Sequence, residues 1–235
     1  MRAFFLIGAL LLSIQPTLLL GQTSINNEMM WIDQYFYKDL NEKWELEWDW
    51  GLRFQIYQRN VELYNLRGAA AYNINRNLQL ISGFVFQYNN LHNENTNIET
   101  RPWQAIKLKI PISGNSNLTQ QLKLEERIQN LISCDQSRFI LRLRYEISTV
   151  IPIGNRTSPL IYIPLSEEVL ANVHGLENVP DHLINANRVN AGIGYRFRTN
   201  YKVELVYARQ STLFQQTESD RIATNIYRVK WKVTM

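Results

Sequence analysis

The chain of 235 residues holds one cysteine and three histidines, and no basic block. With Cys134 alone, no internal disulfide can form. Its surroundings, "LISCDQSR", read as a loop with no histidine nearby in sequence, so a Cys–His catalytic pair has no support. His92, His174 and His182 all fall in polar connections and lack metal-ligand spacing, so no metal site is expected. Glycine gives no phosphate-cradling loop: "AGIGY" (191–195) sits inside an alternating segment without the strand-loop-helix context. No cofactor is expected. The 25 Lys and Arg against 21 Asp and Glu leave a formal charge of +4 that is spread along the sequence. That dispersal argues against a nucleic-acid partner. After the N-terminus no window carries an amphipathic helix.

What is present is alternation. In "WELEWDWGLRFQI" (44–56) every even position is apolar and every odd position is polar, charged or glycine. A period of two is a strand with one oily and one charged face. Similar segments recur at 63–74, 78–88, 103–112, 118–131, 139–153, 160–173, 188–197, 201–210 and 225–235, with a shorter one at 30–37. Most exceed the usual soluble strand of about 5–6 residues and match the roughly 9–11 needed to cross a bilayer at a tilt. Tight turns at 39–43, 75–77, 113–117, 154–159 and 198–200 alternate with connections at 58–62, 89–100, 132–137, 174–187 and 211–224, most of them longer. Short turns at one end and long loops at the other is the layout of an outer-membrane barrel. Because such single-chain barrels use even strand numbers, the segment at 30–37 is expected to be a short strand outside the crossing set. About ten antiparallel crossing strands are expected, twelve being possible.

The N-terminus supports export. Met1-Arg2 precedes the apolar run "AFFLIGALLL" (3–12), and Pro16 separates that run from "TLLLGQTS" (17–24). This reads as a secretory signal over 1–21, cut near Gly21-Gln22. The organisation expected is then a signal (1–21), an N-terminal segment with a short strand (22–43) and the barrel (44–235). Mean hydropathy of −0.28 does not oppose this, because a membrane barrel hides half of each strand from lipid.

Three features decide which face points inward. Aromatics such as Trp44, Tyr64, Tyr72, Tyr88, Tyr195 and Trp231 lie near strand ends on the oily face, where a membrane–water boundary favours them. Trp44, Trp48, Trp50 and Phe54 on one strand are too bulky for a small interior. The last segment, "NIYRVKWKVTM", alternates to the terminal residue. The charged face is therefore expected inside. Its candidate lumen network is Glu45, Glu47, Asp49, Arg53, Glu125, Arg127, Arg142, Arg144, Glu146, Glu168 and Arg188. Glu126 and Glu167 fall on the opposite, nominally outer, face.

The segments "LKLEERIQN" (122–130), "SRFILRLRYEIS" (137–148), "SEEVLANV" (166–173) and "NRVNAGIGYRF" (187–197), with the early strand from Trp44 to Phe54, resemble the bacterial outer-membrane family catalogued as domain of unknown function 2490. The resemblance spans about 30–235. It implies an outer-membrane β-barrel and no established chemistry. The sequence leaves three roles open: a structural barrel whose lumen is filled by paired charges, a narrow pore for ions or small polar solutes, and a loop-based binding protein or hydrolase. For the last, Asp181 beside His182 is the available pair. Outer-membrane lipid is the expected partner, with a small polar solute as a second, and a monomer is expected.

Overall fold

The computed structural model describes residues 23–57, 60–90, 96–113, 116–132, 136–154, 160–174, 184–213 and 221–235. The expected signal segment, His92, Cys134, Asp181 and His182 lie outside them. The described residues form eleven strands: β1 Thr23–Asp39, β2 Trp44–Gln55, β3 Asn60–Asn73, β4 Leu78–Asn89, β5 Asn97–Ser113, β6 Ser116–Leu131, β7 Gln136–Ile153, β8 Ile161–His174, β9 Ile184–Arg198, β10 Tyr201–Leu213 and β11 Arg221–Thr234. Neighbours in sequence pair antiparallel, and β1 pairs β11 in parallel, so the sheet closes on itself. The count falls between the expected ten and the possible twelve, and is odd where an even number was expected.

The difference is at the N-terminus. The segment expected to be short and outside the crossing set is a 17-residue strand that completes the wall. Its inner face is Met29, Trp31, Asp33, Tyr35 and Tyr37, and its outer face includes Gln34 and Lys38. Hydropathy contrast between the faces is low, so alternation alone understates its length. With eleven strands the first and last run the same way, so closure has to be parallel. Parallel pairing is slightly weaker per residue than antiparallel. Side chains reinforce this seam: Arg228 on β11 donates to Asp33 Oδ2 at 2.5 Å and to the Tyr35 hydroxyl at 2.5 Å. Odd closure also puts the start of β1 at the long-loop end and Met235 at the short-turn end.

Local chemistry sets the short turns. Asn41 Oδ1 accepts from the backbone N–H groups of Lys43 and Trp44, both at 2.9 Å. Asn75 Oδ1 does the same for Asn77 and Leu78. An Asn side chain that mimics a backbone turn satisfies donors that would otherwise lack partners. At the other end the strands run further than hydropathy indicated. Asn97–Thr100 and Arg221–Thr224 are strand, although both stretches read as loop.

Strands are 12 to 18 residues long. Odd positions face inward on β1–β6 and even positions on β7–β11, as cross-strand partners require. Two small apolar clusters line the interior. Ala71, Ile81, Val85, Trp103 and Ala105 pack on the β3–β5 wall, and Trp31, Ala208 and Ile226 pack beside the seam. Gly83 is where β4 passes under Trp103, since a Cβ there would overlap the indole ring. Ile140, Leu170, Ala186 and Val206 add further buried apolar positions, and most of the remaining interior is polar.

The parallel seam is directly testable. In a Cys134→Ser background, Ile32→Cys with Val229→Cys, which are Cα partners, is expected to cross-link on mild oxidation. Ile32→Cys with Asn225→Cys is not. Cross-linking by the second pair and not the first, read on a denaturing gel, would reject this register.

Candidate functional site: the charged lumen

A carboxylate in a narrow lumen loses hydration and must recover it from a cation. The structure meets this need strand by strand. On β7, Arg144 is forked: Nη1 donates to Glu125 Oε1 on β6 at 2.7 Å and Nε to Glu168 Oε1 on β8 at 2.8 Å. Glu168 Oε2 accepts from Arg188 Nη1 on β9 at 3.1 Å. Arg188 in turn donates to Gln210 Oε1 on β10 through Nε at 2.9 Å. One continuous chain, Glu125–Arg144–Glu168–Arg188–Gln210, thus stitches β6 to β10.

A second group sits on β5 and β6. Glu99 accepts a bidentate pair from Arg127 at 2.5 and 2.9 Å, a bond from Gln129 at 2.9 Å, and a bond from Arg101. On β2 and β3, Arg67 pairs with Asp49 and reaches Glu47 at 3.4 Å. Lys107 on β5 meets the same Glu47 at 3.5 Å, which bridges two intervening strands. Bidentate arginine contacts fix geometry as well as charge, so each brace also sets the register of the strands it joins.

The eleven expected lumen residues all fall on the inner face, in different circumstances. Glu125, Arg144, Glu168 and Arg188 share the five-strand chain. Arg127 pairs with Glu99, and Glu47 and Asp49 pair with Arg67. Among the described residues Glu45 accepts only from Gln79 Nε2, at 3.3 Å. Arg142 donates to Asn172 at 2.9 Å. Arg53 has no carboxylate partner among the described residues and lies over the Trp31 ring at 3.9 Å from its centroid. Glu146 has no ion-pair partner among them. Glu126 and Glu167 keep the outer register, and Glu167 is buried there against Asn187 Nδ2 at 3.1 Å.

Several members were not in the expected set. Asp33 lies on β1, which was read as outside the crossing set, and Glu99 lies in a stretch read as loop. Trp31 and Trp103 point inward, as do Tyr35, Tyr37 and Tyr162, although aromatics near strand ends mark the outer face. Arg188 and Arg228 stand 5.0 and 5.2 Å from the Trp31 centroid, and Lys123 stands 4.2 Å from that of Trp103. The two indoles thus give cations a second kind of partner. The signal for them was parity: Trp31 is in phase with Asp33, and Trp103 with Lys107 and Lys109.

The braces leave a central cavity of about 310 Å³ lined by ten Lys and Arg and six Asp and Glu. That is at the low end for a small-ligand pocket, roughly 300 Å³ and upward. No histidine, cysteine or catalytic pair among the described residues faces it. His174 is exposed at the end of β8, its ring 6.4 Å from that of Phe139. The lumen therefore holds charge and hydrogen-bond donors in fixed positions without an activated nucleophile among the described residues.

Glu168→Gln leaves Arg144 and Arg188 each short of a charge partner. It is expected to destabilise the barrel by about 3–5 kcal/mol, the usual cost of breaking a buried pair from one side. Glu146→Gln, which removes a carboxylate lying cross-strand from Glu168, is expected to stay within about 1 kcal/mol. Urea unfolding in detergent micelles compares the two, and equal losses would refute the network as the basis of the difference.

A family model described as "Protein of unknown function (DUF2490)" matches residues 28–221. No curated protein and no solved structure matches the chain.

Proposed function

Since the chain belongs to the DUF2490 family, whose description assigns no activity, we propose from the barrel itself that it is an exported, integral outer-membrane β-barrel whose lumen is braced shut by ion pairs. The observation that carries this reading is the inverted distribution of side chains. Leu66, Ile193 and Leu205 are 57%, 62% and 61% exposed on the outer face, while Glu99 and Glu125 are 1% and 2% exposed within. In water an apolar surface encircling the molecule would drive association. In lipid it is the solvated face, and a closed barrel leaves no backbone group unpaired there.

The ends of the wall support the same reading. At the short-turn end Trp44 lies beside Tyr72 with ring centroids 4.9 Å apart, and Phe197 lies 6.2 Å from Trp231. At the long-loop end Tyr64 and Tyr88 are 6.1 Å apart. Amphipathic rings in two girdles suit the two interfaces of a bilayer. The apolar run "AFFLIGALLL" supplies an export signal.

The braced lumen favours a structural barrel over a diffusion pore. A narrow conduit is the second reading, favoured by the ten cations that face six carboxylates in the cavity. Such a conduit would prefer anions. Planar-bilayer recording of refolded protein, first checked for heat-modifiable migration, separates the two. The wild type is expected to be silent. Discrete steps with anion selectivity that falls in Arg144→Gln would overturn the closed reading and install the conduit.

Topology gives an independent check of insertion. Odd closure predicts that epitope tags after the signal and at the C-terminus lie on opposite sides of the outer membrane. In intact cells the tag before β1 is expected to be protease-accessible and the tag after Met235 protected. Protection or exposure of both together would reject a membrane-spanning eleven-strand arrangement.

A further inference from the structure

Three cations stand abreast on the inner face near the short-turn end. Lys202 on β10 is the Cα partner of both Arg196 on β9 and Lys232 on β11. Like charges directly opposite each other on paired strands destabilise the sheet. One pair further in, Glu204 is the partner of Lys230. Glu204 Oε1 accepts from Lys232 Nζ at 2.7 Å, and Glu204 Oε2 is 3.9 Å from Lys230 Nζ. Lys230 and Lys232 thus flank Glu204, and Lys202 and Arg196 continue the row of cations away from it. The Nε of Arg196 is buried and has no hydrogen-bond partner among the described residues.

The arrangement is built rather than loose. Glu204 is 2% exposed, and its Oε1 also accepts from the Tyr162 hydroxyl at 2.9 Å. Tyr162 reaches it by lying across Gly194, where a Cβ would overlap the phenol ring. A glycine, a buried tyrosine and a buried carboxylate together hold the Lys232 ammonium in place. An ammonium carries three donors, so the bond to Glu204 leaves others for a ligand. Lys230 and Lys232 also line the central cavity, so the row is continuous with it.

We propose that Arg196, Lys202 and Lys232 form a binding site for a phosphate-class oxyanion that enters the lumen from the short-turn mouth. A monovalent carboxylate would offset one of three abreast charges. A phosphate, at about −1.5 to −2 with several acceptor oxygens, offsets most of the row and can accept from the unpartnered Arg196 Nε. The site faces the interior and not the apolar outer face, so the anion arrives from water. Membrane insertion is not required for it, only the closed barrel, so it can fail or hold independently of the membrane reading.

The test uses the full mature barrel in detergent, with inorganic phosphate as the probe and sodium chloride at equal ionic strength as the reference. Amine labelling of the wild type, read by mass spectrometry, is expected to slow at least tenfold at Lys202 and Lys232 in phosphate. Lys38 and Lys43, exposed at the same end, are expected to label at unchanged rates. Uniform slowing at all four lysines, or none, would overturn the site. Lys202→Gln supplies a second readout. Without phosphate it is expected to unfold no more easily than the wild type, because a like-charge contact is removed. The upward shift of the unfolding midpoint that phosphate gives the wild type is expected to disappear. A variant that is weaker with and without phosphate, and still shifted by it, would mark Lys202 as structural only and overturn its place in the site.

Discussion

The pairing of buried carboxylates with guanidiniums is the interaction on which the rest of this barrel depends. A sheet closed on itself has one interior, and here that interior is charged. Each carboxylate inside must meet a cation or stay protonated. Arg144 answers for two at once, donating to Glu125 on one side and Glu168 on the other. Because β6, β7 and β8 each contribute one member, a slip of one residue in any of them would turn a charge outward and strand its partners. The network therefore specifies register more than it adds stability. A buried ion pair is weak evidence for net stabilisation, while its disruption from one side is expensive.

Closure imposes the second constraint. Eleven strands can only meet in parallel, and the seam between β1 and β11 carries fourteen partnered positions. Arg228 ties β11 to Asp33 and Tyr35, and the backbone N–H of Met235 continues the pairing by donating to Tyr37 C=O at 2.8 Å. Trp31 stands where three arginines converge on its ring, next to Ala208 and Ile226. The first strand is thus held by charge on one part of its inner face and by apolar packing on another. This mixed face is what makes it poorly visible as an alternating segment.

That contrast explains what could be read from residues alone. Trp44–Ile56 has seven apolar and six polar or small positions in strict turn, so its face, length and direction were all legible. The charges at Glu125, Arg144, Glu168 and Arg188 were legible as inward for the same reason. Their pairing into one chain was not, because it depends on which residues stand opposite in neighbouring strands. Asp33 and Glu99 were missed for a different reason. One lies on a strand whose two faces differ little in hydropathy. The other lies where a strand continues past the apolar band, and polar residues on both faces look like loop. The even-strand expectation also worked against β1, since it removed the one segment needed to close the wall.

Arginine and lysine divide the interior between them, and the division follows from their shapes. The braces are arginines: Arg67, Arg127, Arg144, Arg188 and Arg228 each meet acceptors on neighbouring strands. A planar fork can hold two acceptors in fixed directions, whereas an ammonium is a point charge on a flexible stem. The lysines fit the looser positions. Lys123 lies over Trp103, Lys107 sits 3.5 Å from Glu47, and Lys230 lies 3.9 Å from Glu204. These five rigid donors are thus committed to carboxylates on neighbouring strands, and Lys107, Lys123 and Lys230 are left around open volume. The cation surplus is concentrated toward the short-turn mouth on β9–β11, where, among the described residues, Glu204 is the carboxylate that pairs with Lys230 and Lys232 while Arg196 and Lys202 have no ion pair. A lumen meant only to be filled would gain nothing from gathering unmatched cations at one mouth, because their mutual repulsion opposes closure. The arrangement makes physical sense if the forked arginines set the wall and the lysines beside that mouth face an exchangeable anion.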